Sequence, residues 1–219
     1  MKYNILISGA YGFIGKNFVS SLLSSSEYNL YLISRNKVIN STSIFTNICC
    51  DIKDLDSIKM EFKNIEIDFI LHFASKSTNE IAEKDPYDTI QSNVVGTLNL
   101  LELARKKKVK GFILLSSLST YGFQKTIPVH ESFSLNSTNL YGSSKICCET
   151  LLKSYSNLYK IPSIVLRLGM VFGHNDHNFN RLIPTIFKSY ELNKVVKLNS
   201  VSNTTVDLIY INDVIVILK

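Results

Sequence analysis

Short apolar runs at residues 3–7, 30–33, 69–73, 112–116 and 163–168 alternate along the chain with stretches whose apolar residues recur every three or four positions. The runs lack polar alternation, so they read as strands buried on both faces. The intervening stretches, 14–23, 89–107 and 143–159, read as helices that pack through one face. Regular alternation of the two predicts βαβ units and a doubly wound parallel sheet of the α/β class. A chain of 219 residues, 45% of them hydrophobic, can bury both faces of such a sheet.

The stretch "LISGAYGFIGKN", residues 6–17, spends three of the nine glycines within seven positions, as Gly9, Gly12 and Gly15. Glycine is unfavourable inside strands and helices, so the cluster implies a backbone that must approach something closely. It falls between the first strand and the first helix. There a tight turn presents backbone N–H groups to a pyrophosphate at the helix N-terminus. The usual dinucleotide fingerprint is G-x-G-x-x-G, whereas this row is G-x-x-G-x-x-G, and a plain glycine turn remains the alternative.

Tyr141 and Lys145 stand four apart in a helical pattern, which places both side chains on one face. A phenol of pKa near 10 trades protons poorly at neutral pH. An ammonium one turn away favours phenolate and lowers that value. Upstream, "LLSSLSTYG", residues 114–122, ends the fourth of the long apolar runs. The carboxyl edge of a parallel sheet is where such folds bind ligands, so these hydroxyls face the expected crevice.

Composition narrows the function classes. The net charge of +6 is a mild excess, and Lys106, Lys107, Lys108 and Lys110 close a helical pattern where cations suit the helix C-terminus. No aromatic residues interleave with them, so nucleic acid is not the expected partner. No stretch has the apolar length of a membrane span or of a signal-peptide core. The four cysteines form two adjacent pairs, Cys49–Cys50 and Cys147–Cys148, without metal-site spacing. Reduced thiols in a cytoplasmic protein, with no metal, are the expectation.

Taken together, "GAYGFIG", "CCDIKD", "ILHFAS", "SNVVGTLNLLE", "SSLSTYG", "YGSSK" and "VLRLGMVFG" occur in an order that resembles the extended short-chain dehydrogenase/reductase superfamily, whose members act on nucleotide sugars. The resemblance covers nearly the whole chain and implies a Rossmann fold. By position it makes Ser117 the catalytic hydroxyl, Tyr141 the acid/base, and Lys145 the residue that tunes the phenol and holds the nicotinamide ribose. It assigns Gly9, Gly12 and Gly15 to the pyrophosphate turn, with Phe13 and Ile14 as backbone N–H donors. Asp51 and Ile52 would flank the adenine, and Phe73, Ala74 and Ser75 would wall the cofactor. Asn93 would supply a polar contact and Ser119 would touch substrate, with simple turn residues the alternative reading for Asp51 and Ser119.

An acidic residue at the end of the second strand would hold the ribose 2′-hydroxyl of NAD. Here Ser34 takes that place and Arg35 follows. Losing the carboxylate removes repulsion of a 2′-phosphate, and a guanidinium grips one bidentately. NADP is therefore expected over NAD, with Arg35 as an ordinary surface residue the competing reading.

Against the superfamily pattern, Met170 stands where relatives usually carry a substrate-binding Asn, and Val206 where they carry an Arg for the diphosphate. Arg181 is the candidate replacement for that charge. The final "NDVIVILK" reads as a helix start capped by Asn212 or Asp213, with Val214, Ile215 and Ile217 expected to lack partners. The expectation is a dinucleotide-binding domain over 1–170 and, over 171–219, the start of a substrate lobe whose remainder is missing.

The resemblance implies an NAD(P)-dependent nucleotide-sugar epimerase or 4-keto reductase, acting as a homodimer through the helices that bear Asn93 and Tyr141. A dehydratase usually adds an Asp-Glu pair after its catalytic hydroxyl, where Leu118 and Ser119 stand. A reductase of a non-sugar carbonyl and a non-catalytic dinucleotide-binding sensor or scaffold are the alternatives.

Overall fold

A computed structural model describes residues 2–36, 45–196 and 205–219. Its principal sheet is built from β1 (Tyr3–Ser8), β2 (Tyr28–Ser34), β3 (Phe45–Cys49), β4 (Phe69–His72), β5 (Gly111–Ser117) and β6 (Ser163–Leu168). All neighbouring strands run parallel, in the order β3-β2-β1-β4-β5-β6. This is the doubly wound order, and it reverses direction between β1 and β4. A second, two-stranded sheet pairs β7 (Met170–Phe172) with β8 (Leu208–Tyr210).

Helices cover both faces. On one lie α2 (Leu55–Glu61), α5 (Gly96–Lys107) and α6 (Leu140–Tyr159); their Phe62, Leu100 and Leu152 share a core with Leu6 and Ile70 of the sheet. On the other lie α1 (Phe13–Leu22) and α8 (Ile211–Leu218), whose Phe18, Leu22, Val214 and Leu218 pack with Ile5, Ile7 and Leu32. Successive strand residues therefore enter opposite cores, which is why the runs show no polar alternation. Two short helices, α3 (Asn79–Lys84) and α4 (Pro86–Ile90), precede α5, and a single wide π-type turn over Gln91–Val95 joins α4 to α5. α7 (Leu182–Glu191) follows β7.

The chain's last helix departs from expectation. It begins at Ile211 after Tyr210, with no side-chain cap from Asn212 or Asp213. Val214 and Ile215 do have partners: both are buried in the core shared with α1, and of the three only Ile217 is exposed. The lysine run behaves as charge at a helix end: Arg105, Lys106 and Lys107 form the last turn of α5, and Lys110 pairs with Asp68. Among the described residues, no helix is long and apolar enough to cross a membrane.

A buried histidine ties the two halves of the sheet's carboxyl edge together. His72 Nδ1 meets Ser8 Oγ at 2.6 Å and Nε2 meets Thr97 Oγ1 at 2.9 Å. Burial, with the Lys145 charge nearby, lowers its pKa to about 3, so the ring is neutral in the folded protein. The unfolded chain takes up this proton near pH 6.5 and the folded one does not. Stability should therefore fall as pH drops below about 6.5, by up to about 1.4 kcal/mol per unit. Denaturant unfolding between about pH 6.5 and pH 4 tests this, with His72→Gln expected to flatten the slope.

Candidate active site

At the carboxyl edge of the sheet, beside the reversal point, a cavity of about 960 Å³ opens. Its first wall is the glycine row. Gly9 has φ +72°, and a β-carbon there would lie 2.5 Å from the Ala74 nitrogen, so this residue lets the end of β1 touch the segment after β4. Gly15 lets the first turn of α1 sit on the preceding loop, since its β-carbon would fall 2.2 Å from the Gly9 carbonyl oxygen. Gly12 differs. Its nearest neighbour would be 3.3 Å away, and it lines the cavity.

Gly12 is also the N-cap of α1, and no side chain caps that helix. The N–H groups of the first turn, at Phe13 and Ile14, start a ten-residue helix facing the cavity. A side chain at Gly12 would occupy the space in front of them. A helix N-terminus with bare donors and an open glycine is a fit for a pyrophosphate.

From this centre the cavity extends two ways. One arm is lined by Ile33, Ser34, Arg35, Cys50 and Ile52, at the ends of β2 and β3. The other reaches Ser117 and Ser119, and then Tyr141 and Lys145 of α6. Phe73, Ala74 and Ser75 form the wall between. Asn139 caps α6 by accepting the Gly142 N–H at 2.8 Å, which fixes the turn that presents Tyr141.

Burial pushes the Tyr141 phenol above its ordinary value. The Ser117 hydroxyl, which itself donates to Ser119 Oγ at 3.2 Å, and the Arg181 charge act the other way. Lys145 was expected to hold the phenol acidic. Its Nζ donates to the Leu115 carbonyl at 2.8 Å, and burial lowers its own pKa.

Two expected cofactor residues do not line the cavity. The Asp51 carboxylate accepts the Lys53 N–H at 3.0 Å and pairs with Lys53 Nζ at 3.6 Å, so it serves the turn. Asn93 sits inside the π-type turn and is 1% exposed. Its side chain accepts from the Lys76 N–H at 2.8 Å and donates to Ser144 at 2.9 Å, holding the wall segment against α6.

The far end of the cavity contains Met170, Val206 and Arg181. Arg181 is not a free charge. Its guanidinium pairs with Asp176 at 2.7 Å, donates to the Val171 carbonyl at 2.7 Å and lies 5.8 Å over the Phe13 ring. Sequence reasoning missed Asp176, Asn178 and Asp207 beside it, as well as Tyr11. Tyr11 lies within the glycine row and could have been read there. Its hydroxyl donates to Asn47 of β3 across the end of β2.

A model of the NAD dependent epimerase/dehydratase family matches residues 5–218. A putative UDP-glucose 4-epimerase of Methanocaldococcus jannaschii is 31% identical over 96% of this chain and 70% of its own length. Among solved structures, the UDP-glucose 4-epimerase of Thermotoga maritima with UDP-glucose superposes with a TM-score of 0.86. It is 27% identical, over 97% of this chain and 71% of the other. The Thermus thermophilus UDP-glucose 4-epimerase complex with NAD shares the fold, with a TM-score of 0.82 at 22% identity, over 97% and 72% of the two chains.

Proposed function

The chain belongs to the NAD dependent epimerase/dehydratase family, and from that premise we propose that it is an NAD(P)-dependent nucleotide-sugar epimerase or 4-keto reductase. The observation that carries this reading is the meeting of Ser117, Tyr141 and Lys145 in one cavity with the bare N-terminus of α1. In this reading the first turn of α1 holds the pyrophosphate, and Lys145 holds the nicotinamide ribose. The dinucleotide, when bound, supplies the acceptor and donor of a hydride at a sugar carbon. Ser117 orients the sugar oxygen by hydrogen bonding, and Tyr141 passes the proton. With its phenol held neutral by burial, Tyr141 is set to protonate a carbonyl oxygen, the step that a 4-keto sugar requires. Incubation with UDP-, dTDP-, CDP- and GDP-sugars and either dinucleotide, followed by NMR of the sugar, tests the proposal. An altered configuration or oxidation state at one sugar carbon supports it, and unchanged sugars throughout oppose it. Met170 and Val206 favour a second reading, reduction of a non-sugar carbonyl, for which the same assay takes apolar ketones.

Residues 1–170 carry the groups assigned to the dinucleotide, while Asp176, Arg181 and Asp207 of 171–219 line the far end. We read these as a dinucleotide-binding domain and part of a substrate lobe, with α8 returning to pack on α1. The four free cysteines support a reducing, cytoplasmic setting. A homodimer through the outer faces of α5 and α6 completes the proposal, supported by exposed Leu158 and Tyr159 on α6.

For the dinucleotide we propose a preference for NADP. Ser34 and Arg35 line the cavity where an acidic residue would contact a ribose 2′-hydroxyl. A charge-assisted bond to a 2′-phosphate contributes about 1.5–3 kcal/mol, or about ten- to a hundredfold in affinity. Arg35→Ala should therefore shrink the NADPH-over-NADH ratio by about that factor. Calorimetric titration of both proteins decides it, and an unchanged ratio removes Arg35 from the site.

A further inference from the structure

α6 grips the end of β5 at successive residues. Lys145 Nζ holds the Leu115 carbonyl and the Ser116 hydroxyl donates to Glu149 Oε1, while Tyr141 and Ser117 line the same cavity. Tyr141, Lys145 and Glu149 are spaced four apart, so they form one row along the helix. The first two belong to the site already described. Glu149 does not line the cavity.

Glu149 is anchored from the other side. Arg167, on the neighbouring strand β6, places Nη2 at 2.8 Å and Nε at 3.1 Å from Glu149 Oε2. The same guanidinium donates from Nη1 to the Tyr121 hydroxyl at 2.7 Å and to the Glu131 carbonyl at 3.3 Å, and it lies 4.9 Å over the Tyr121 ring. Tyr121 closes the single turn Leu118–Tyr121, which carries Ser119. Ser117 is thus fixed on both sides: Ser116 before it by Glu149, and Tyr121 after it by Arg167.

The Glu149 and Arg167 side chains are only 7% and 22% exposed. Burying an ion pair is a poor route to stability, since packed apolar residues often serve as well. What a forked, bidentate pair adds is geometry. Glu149, one turn beyond Lys145, also opposes the effect of burial on that ammonium.

We propose that the Glu149–Arg167 pair, with Tyr121, is a positioning clamp that sets the Ser117 hydroxyl against the Tyr141 phenol. This rests on reading Ser117 and Tyr141 as the proton-handling pair. None of the three clamp residues lines the cavity. They act by fixing the register of α6 on the end of β5.

The test uses Glu149→Gln, which keeps an acceptor for Ser116 and removes the charge that binds Arg167, and Tyr121→Phe, which removes only the far arm. Two readouts are taken beside thermal stability. One is kcat and KM on whichever nucleotide sugar the parent converts. The other is the titration of the Tyr141 phenol, followed by NMR of ring-labelled tyrosine and assigned with Tyr141→Phe; it needs neither cofactor nor substrate.

For Glu149→Gln, kcat should fall by up to about a hundredfold at nearly constant KM, the expected cost of a slightly misplaced group. The Tyr141 titration should move upward, because the Ser117 hydroxyl, which opposes the effect of burial on the phenol, is displaced from it. Tyr121→Phe should shift both in the same direction by less. A folded Glu149→Gln protein with an unmoved titration and parental kcat, altered only in thermal stability, overturns the clamp. If Glu149→Gln does not fold, an unmoved Tyr141 titration in Tyr121→Phe overturns it instead. A parent that converts no sugar leaves the titration to decide the clamp alone, so the two proposals fail separately.

Discussion

Tyr141→Phe should lose turnover by about 10²–10⁴ while binding dinucleotide as the parent does, because only proton transfer is removed. Phenylalanine keeps the ring and its burial, so α6 retains its place against β5. The donors proposed for the pyrophosphate, at Phe13 and Ile14, lie on a different element and stay in place. Initial rates and dinucleotide titration on the same preparation separate the two effects. Retained turnover would remove Tyr141 from the chemistry. Loss of dinucleotide binding together with turnover would make it a binding residue instead.

The three glycines should separate just as sharply. Gly9→Ala forces an L side chain to φ +72° and drives its β-carbon to 2.5 Å from the Ala74 nitrogen. The left-handed conformation costs roughly 1–2 kcal/mol and overpacking roughly 1–3 more, a large part of the ~5–15 kcal/mol that holds a domain folded. Gly12→Val is milder: the backbone is extended at φ −75° and ψ 175°, and the β-carbon would lie 3.3 Å from the Gly9 carbonyl oxygen, a tight contact that a shift of a few tenths of an ångström relieves. It should fold with a stability change of about 1 kcal/mol or less. Yet it should bind dinucleotide at least about tenfold more weakly, since its side chain fills the approach to the α1 donors. Thermal unfolding and titration of both variants check this pair of outcomes. Parental affinity in Gly12→Val would mean that nothing approaches the helix there.

These outcomes rest on a fold that was legible in the sequence for identifiable reasons. Strands buried on both faces have a continuous apolar signature, so β1, β2, β4 and β5 were found near their observed bounds; β6, found by the same apolar run, is instead a half-exposed edge strand, with Ile164 55% exposed. The edge strand β3 was not, because Phe45–Cys49, with Thr46 and Asn47 inside it, has no such run. β7 and β8 are three residues each, too short to show any period. The helix expected over 89–107 is interrupted by the π-type turn, which puts Asn93 inside the protein and turns an expected cofactor contact into a brace.

The site divides in the same way. Motif residues, from Gly12 to Tyr141, were readable because their chemistry depends on local spacing. Asp176 and Asp207 were not, since only the fold brings those loops to the cavity. Spacing places Lys145 near Tyr141 but says nothing of the burial that is the largest influence on both groups.

The most direct measurement mixes dinucleotide-loaded protein with each nucleotide sugar in turn and follows the near-ultraviolet absorbance of reduced nicotinamide while the sugar is analysed. The account predicts that at least one sugar is altered at one carbon by the parent, with a lasting absorbance change for a reductase and at most a transient one for an epimerase, which returns its hydride, and that Tyr141→Phe abolishes the conversion. A protein that binds dinucleotide yet gives neither signal with any UDP-, dTDP-, CDP- or GDP-sugar would contradict it.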